Sequence, residues 1–543
     1  MGAQQNEEGQ GDETPGRWFL SVGERGNPAT RIDRRRGDGL AWTEGNFVEA
    51  LVHGATYFRA LHQALSAVGR GDVVCFTDWR GDADERLDGP GTELGAVLAG
   101  LARKGVLVRG LVWRSHPDQE KFSEQENLHL GKLVNEAGGQ ILLDERVRRM
   151  GCHHQKLVLI RRPGHEDDDV AFVGGIDLCH GRGDTEDHRG DPQALDIGEQ
   201  YGRTPGWHDV QLTVRGPALG DLAETFRERW EDPTPLERRS PGARRARSAD
   251  EPHRPEPLPE LPQDFRSAGS AAVQILRTYP QKRPPFPFAP SGERSVARSY
   301  AKVLRRARAL IYIEDQYLWS EEVADLFAAA LRRAPDLRLI AVVPRFPDRD
   351  GPVSGPPNRI GQELAMERVR QAGHDRVGVY DLENEEGRPI YVHAKVCVVD
   401  DTWAAVGSDN LNRRSWTHDS ELSCAVIDGR RDERAPADPG GLGDGARVFA
   451  RDLRLRLWRE HLGPSTAEDE MLDARGGFEA WRRTAAALES WHEGGRRGPR
   501  PEGRVRPHRP APVRWASWWA WPAYRFLIDP DGRPAELKRS GRF

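Results

Sequence analysis

Short unbroken apolar runs alternate along the chain with longer stretches of helical periodicity, and the alternation occurs twice. In the first half DVVCFTDW (72–79) and VLVRGLVW (106–113) read as buried strands, with LGAVLAGLARKG (94–105) between them as a helix closed by glycine. HLGKLVNEAG (129–138) and QILLD (140–144) continue the pattern. In the second half ALIYIEDQYL (309–318), EEVADLFAAALRRA (321–334), LRLIAVVP (337–344), GQELAMERVRQAG (361–373) and VGVYDL (377–382) repeat it. Strands alternating with helices predict an α/β fold with a mainly parallel or mixed sheet covered on both faces. Two blocks in the same order, about 200 residues each, predict an internal duplication into two lobes, not a solenoid of short repeats.

Segments rich in proline, glycine and charge break the pattern at 1–16, 231–268, 430–445 and 491–513. The predicted division is an N-terminal tail (1–40), a first lobe (41–230), a linker (231–268), a second lobe (269–490), a basic linker (491–513) and a tryptophan-rich segment (514–543). The length of 543 residues exceeds one ordinary core. A net charge of −5 lacks the basic excess of a dedicated nucleic-acid binder, so no nucleic-acid partner is expected. The start shows neither a basic nor an apolar signal region, and no apolar run approaches a membrane span. Gly2 invites acylation, but Asn6 stands where serine or threonine is wanted. The expectation is a cytoplasmic protein, at most peripheral to a membrane. Five cysteines without CxxC spacing read as free buried thiols of a reducing compartment.

The duplication carries chemistry. CHHQKLVLIRR (152–162) and YVHAKVCVVDD (391–401) both read His-x-Lys followed by an apolar run. On a strand, residues two apart share a face, so His154 with Lys156, and His393 with Lys395, would project together. An imidazole beside a fixed cation suits a phosphate. The second copy continues to Asp400, then GSDN at 407–410, then Glu421 in DSEL. Its Gly-Ser turn lets backbone come close, and Asn410 can donate to an oxyanion without adding charge. The first copy has Arg161 where the second has Asp400. Counting back from Gly174 as Asp400 precedes Gly407 reaches Asp167, so RRPGHE (161–166) reads as an insertion and Asp167 as either a substitute acid or part of a solvated loop. The first copy also has Gly175 for Ser408 and Asp177 for Asn410; a carboxylate facing phosphate is repulsive unless paired or turned away.

The pattern HxKxxxxD followed by GSxN resembles the signature of the phospholipase D superfamily. AFVGGIDLCHGRGD (171–184), GWHDVQLTVRGPALGDLAETFRERW (206–230), YIEDQYL (312–318) and RLRLWREHLG (454–463) resemble blocks of its eukaryotic and plant-type branch, so the resemblance covers about residues 40 to 465. It implies two similar α/β/α sandwich lobes with mixed sheets and one active site at their pseudo-twofold interface. It further implies a phosphodiesterase that hydrolyses glycerophospholipids to phosphatidic acid and free alcohol, with transfer of the phosphatidyl group to an added alcohol as a companion reaction. His154 would become the phosphohistidine and His393 the acid and then the base, though the symmetry of the site leaves the assignment reversible on sequence alone. Asp209 and Glu421 start matching apolar stretches, so Asp209 is expected to orient His154 and Glu421 to orient His393. Lys156, Lys395 and Asn410, with Ser408 and Gly175, would hold the phosphoryl oxygens; Asp400, Asp167 and Asp177 would support. With two lysines present no metal and no cofactor is expected.

His116, His153, His165 and His180 match no standard zinc spacing, and HGRGD (180–184) reads as a turn. The polar start is too short for the lipid-binding domains of plant-type relatives. Trp515, Trp518, Trp519 and Trp521 lie near Tyr524 behind an arginine-rich stretch. They read either as an interfacial anchor that touches the membrane transiently or as a segment docked on the catalytic core. Because one chain supplies both motifs, a monomer with a phospholipid substrate is expected. The rival readings are a cardiolipin synthase-like phosphatidyltransferase, a nuclease of the same superfamily, and an inactive lipid-binding homologue.

Overall fold

The computed structural model describes residues 13–115, 124–195, 197–236, 254–262, 264–318, 320–348, 355–509 and 517–543. The first lobe carries β1 (Thr43–Val52), β2 (Val73–Asp78), β3 (Leu107–Trp113), β4 (Gln140–Asp144), β5 (Leu157–Arg161), β6 (Val170–Gly174), β7 (Gly206–His208) and β8 (Val210–Arg215). The second carries β9 (Ala271–Tyr279), β10 (Glu293–Arg294), β11 (Leu310–Glu314), β12 (Arg338–Val342), β13 (Val377–Glu383), β14 (Pro389–Val392), β15 (Val396–Val399), β16 (Trp403–Gly407), β17 (Glu421–Asp428) and the late strand β18 (Val505–Pro507).

The two sheets have one topology. In the first, β2, β3 and β4 run parallel, and β5, β6, β8 and β1 follow antiparallel from the other edge of β2. In the second, β11, β12 and β13 run parallel, and β15, β16, β17 and β9 follow in the same order. Register matches as well: Thr77 faces Leu157, one residue after Lys156, and Glu314 faces Val396, one residue after Lys395. The parallel strands are buried along nearly their whole length because both faces are covered, which is why they read as unbroken apolar runs.

Each sheet packs its outer face on helices. Gly54–Ser66, Leu94–Arg103 and Glu124–Glu136 cover the first; Ser295–Leu304, Glu321–Arg333 and Gly355–Gly373 cover the second. The inner faces share one core, in which Leu159, Val173 and Leu212 of the first lobe join Val396, Val406 and Leu422 of the second through Ala218–Trp230 and Val448–Leu462. Each such fully buried side chain contributes about 1.5–3 kcal/mol of transfer free energy. Two strand pairings tie the lobes further, β1 with β9 and β7 with β14.

Two peripheral expectations change, and at the C-terminus one of the two readings is favoured. Residues 13–36 pack where a polar tail was expected: Trp18, Phe19 and Leu20 enter the second lobe's core, and Arg25 is buried against Asp33 and Glu293. The expected basic linker forms β18 beside β13, its Arg506 neutralised by Glu489 and Glu383. At the C-terminus Ala520 and Tyr524 are buried, and Arg413 and Arg414 hold Asp529, so this segment docks on the second lobe. Trp515 and the side chain of Trp518 lie outside the described residues. Among the described residues no helix is long and apolar enough to cross a membrane.

Candidate active site

Both His-x-Lys triplets sit immediately before β5 and β15, not within them, on segments that leave their own sheet and cross to the other lobe. Before β15, the amide of His393 donates to the His208 carbonyl at 2.8 Å, continuing the β14–β7 pairing. Before β5, the amide of His154 donates to the Ser420 carbonyl at 3.0 Å, while Ser420 and Asp419 fasten Cys152.

This crossing decides the histidine partners. His154 Nδ1 lies 2.9 Å from Glu421 Oε2, and His393 Nδ1 lies 2.6 Å from Asp209 Oδ2. The expected pairs, Asp209 with His154 and Glu421 with His393, are therefore exchanged: each lobe supplies the carboxylate for the other lobe's imidazole. With the Nδ1 proton held by a carboxylate, Nε2 of each ring is left for chemistry. Burial drives both histidines well below their ordinary pKa, with Lys156 adding to the effect on His154 and Lys395 to that on His393. Burial likewise raises Glu421 to about 8 and raises Asp209. In both couples burial thus acts against a full ion pair.

The glycine-serine positions serve these carboxylates. Ser408 is fully buried, donates its hydroxyl to Glu421 and accepts from the Leu422 amide. The Gly175 amide is spent on the Val210 carbonyl at 3.2 Å, and a Cβ there would lie 2.3 Å from Asp209 Oδ1. Ser408 and Gly175 therefore position Glu421 and Asp209; the expectation that they bind phosphate is corrected. Asn410 is buried with its Oδ1 unpartnered, so its amide is not consumed by the fold.

The two lysines differ. Lys156 Nζ pairs with Asp177 at 3.0 Å; burial alone would discharge it, but Asp177 and Asp78 outweigh burial and raise its pKa. Asp177 is also 3.5 Å from Arg182, and these cations hold it far below the usual carboxylate range despite burial. The carboxylate that would repel a phosphate is thus neutralised. Lys395 has no ion-pair partner among the described residues, is held by Gln316 at 3.1 Å and by the His393 carbonyl, and is pulled down to about 8 by burial. Both histidines feel Lys156, Lys395 or Asp177 from the other motif, so the two triplets share one electrostatic site.

The supporting acids separate cleanly. Asp400 accepts the amides of Arg308, Ala309 and Leu310, each at 2.8 Å, clamping the start of β11 away from the site. Arg161 takes the matching position and pairs with Asp169 at 3.4 Å. Asp167 is exposed; among the described residues its carboxylate pairs with Arg266 at the surface and its carbonyl accepts from Arg215, so it is not the missing acid. His153 is buried against Thr77, His165 is exposed, His180 pairs with Asp84, and His116 lies outside the described residues. Residues missed in the sequence include Arg182, which stacks 3.9 Å over Trp207 beside His393, and Asp78 and Asp315, which accept the amides of Leu178 and Leu411. HGRGD looked like a plain turn, and a single arginine in it gave no local signal.

Comparison with known proteins agrees with this geometry. The pattern described as phospholipase D matches residues 83–323, and that described as cardiolipin synthase, PLD-like domain, matches 300–433. Phospholipase D1 of Schizosaccharomyces pombe is 26% identical over 400 residues, covering 58% of this chain and 27% of its own. Phospholipase D alpha 2 of Oryza sativa subsp. japonica is 26% identical over 508 residues, covering 70% of this chain and 60% of its own. The chain thus spans between 27% and 60% of the length of these relatives. Among solved structures, phosphatidylserine synthase of Haemophilus influenzae Rd KW20 aligns with 70% of this chain and 82% of its own at 12% identity and a TM-score of 0.48. With both motifs, the two family patterns that together run over residues 83–433 and these sequence relatives in view, the chain belongs to the phospholipase D superfamily.

Proposed function

We propose that this protein is a phosphodiesterase that cleaves glycerophospholipids to phosphatidic acid and free alcohol. The observation that carries the reading is the pair of His–carboxylate couples exchanged between lobes around two lysines. In the proposed reaction His154 Nε2 attacks phosphorus, and the bond to the headgroup oxygen breaks as His393 delivers a proton to that oxygen. His393 then takes a proton from water, whose oxygen attacks phosphorus and returns the electron pair of the P–N bond to His154. Lys156, Lys395 and Asn410 hold the phosphoryl oxygens as charge spreads over them. No step is routed through a metal.

A lipid substrate is supported by the surface near the first motif. Trp521, Phe526 and Leu527 are exposed, with Arg525 over the Trp521 ring. The Arg414 guanidinium bonds both the Leu527 and Met150 carbonyls, which brings the exposed Met150 beside this patch, four residues before His154. We propose that this patch enters the headgroup region of a bilayer. Of the expected tryptophans Trp521 belongs to this patch, and Phe526, Leu527 and Met150 join it.

The second match, to the cardiolipin synthase pattern, favours one alternative: transfer of the phosphatidyl group to a glycerolipid alcohol. One experiment addresses both. Phosphatidylcholine or phosphatidylglycerol in mixed micelles is incubated with the protein, ethanol and EDTA, and the lipids are identified by mass spectrometry. Phosphatidic acid with phosphatidylethanol, absent in His154→Ala, is the expected result. Cardiolipin from phosphatidylglycerol would establish the transferase reading, and no turnover of either lipid would overturn both.

A further inference from the structure

Behind the His393–Asp209 couple lies a second cluster of ligating side chains that the proposed reaction does not use. Three imidazoles converge on Glu460: His53 Nε2 at 2.9 Å from Oε2, His188 Nε2 at 2.9 Å from Oε1, and His208 Nδ1 at 3.6 Å from Oε1. All four donor atoms lie within 4.8 Å of one another. The rings pack edge to face, with centroids 4.8, 5.4 and 5.6 Å apart. The histidines are at most 4% exposed.

The carbonyl of Trp207 fixes one proton of His188 on Nδ1. His188 Nδ1 donates to the Trp207 carbonyl at 3.1 Å, so a neutral His188 turns an Nε2 lone pair toward Glu460. His208 Nε2 donates to Glu314 at 2.7 Å, so a neutral His208 turns its Nδ1 lone pair the same way, and that buried atom has no hydrogen-bond partner. Lone pairs facing a carboxylate repel it unless a proton or a metal cation stands between them. A carboxylate or carbonyl behind the ligating imidazole is the arrangement that orients histidines on a metal. Glu314 continues it outward, accepting from His461 Nε2 at 2.8 Å. Metal–ligand bonds of about 2.0–2.1 Å place neighbouring tetrahedral ligands about 3.3 Å apart; the three His–Glu460 contacts bracket that value, and all four donor atoms lie within 4.8 Å.

We propose that His53, His188, His208 and Glu460 form a binding site for one divalent transition-metal ion of the zinc class. Three imidazoles and a carboxylate make a closed four-ligand set, which assigns the ion a structural role. Its ligands come from the end of β1, from the loop before β7, from β7 itself and from the helix Val448–Leu462 of the second lobe. The ion therefore pins the lobes where the His208 carbonyl receives His393 and where Asp209 follows in sequence. Protons displaced from the imidazoles leave to solvent as the metal enters. The site stands independently of the phosphodiesterase reading.

The test uses the full chain, freed of metal with a chelator and titrated with Co²⁺ while visible absorption is recorded. One equivalent of Co²⁺ giving the bands of a tetrahedral site, displaced by Zn²⁺, is the expected result; metal analysis of the purified protein should find about one transition metal per chain. Glu460→Gln and His188→Gln should weaken Co²⁺ at least about 100-fold, and His461→Gln, which acts through Glu314 and His208, about tenfold. Absence of Co²⁺ bands at millimolar metal, with no metal in the purified protein, would overturn the proposal and leave the cluster as a protonated His–Glu lattice. Co²⁺ affinity unchanged in folded Glu460→Gln would overturn it as well. The wild-type titration decides the matter even where a variant fails to fold.

Discussion

The two lobes repeat one topology, yet they solve the same local problems with different residues. The first lobe seats its carboxylate as Asp209 against a glycine; the second uses the longer Glu421 and adds the Ser408 hydroxyl. One lysine is paired with Asp177, whereas the other is held by Gln316. One strand ends in a buried arginine salt bridge and the other in an aspartate clamping three amides. What stays constant is the His-x-Lys triplet and a carboxylate delivered from the opposite lobe. The difference teaches that the His-x-Lys triplet is the part kept in both copies, whereas strand-end support is interchangeable wherever buried polar groups are satisfied.

The largest effect tests the constant part. His154→Ala and His393→Ala should each lower phosphodiester turnover by about 10⁴-fold or more, since each removes a reacting group. A residual rate within tenfold of wild type in either variant would break the symmetry. Next come the exchanged carboxylates. Asp209→Asn and Glu421→Gln should each cost about 10³–10⁴-fold in kcat through loss of tautomer control. In ¹⁵N spectra Asp209→Asn should move the His393 ring resonances and leave those of His154 in place; the opposite result would refute the crossing.

The lysine contrast predicts pH behaviour. Lys395, depressed to about 8 by burial, is charged below that value and loses its proton above it, whereas the raised pKa of Lys156 keeps it charged through the same range. Affinity for a competitive phosphate anion should therefore fall as pH rises through about 8, by up to tenfold per unit. In Lys395→Arg the limb should move above pH 10, and an unmoved limb would assign it elsewhere.

The strand-end contrast gives the smallest effect on activity. Asp400→Ala orphans one buried and two part-buried amides and should cost about 2–4 kcal/mol in denaturant unfolding, whereas Arg161→Ala should cost about 1 kcal/mol. Arg161→Asp, which completes the HxKxxxxD pattern, should not raise kcat beyond about twofold. A large gain would show that the first motif is impaired as it stands.

The α/β alternation, the duplication and the four His-x-Lys residues were legible because each rests on local periodicity, in apolar runs or in residues two apart. Asp400 as a backbone support was legible from its place at a strand end. Ser408 and Gly175 were misread because a Gly-Ser turn says nothing about which neighbour it accommodates. Asp167 was chosen by counting residues, while Asp169, two positions on, is the buried acid that Arg161 uses. Arg182 and the cluster around Glu460 left no trace, since their members are scattered from residue 53 to residue 461.

By itself the sequence determined two lobes, one superfamily and the paired His-x-Lys residues, because those features are written in spacing along a single strand or turn. Only the tertiary structure decided which carboxylate serves which histidine, which lysine is already neutralised, and that His53, His188, His208 and Glu460 meet. The physical reason is the crossing of the triplets onto the opposite sheet. A partner chosen across a domain boundary depends on how two surfaces dock, and no local pattern of hydrophobic and polar residues records it.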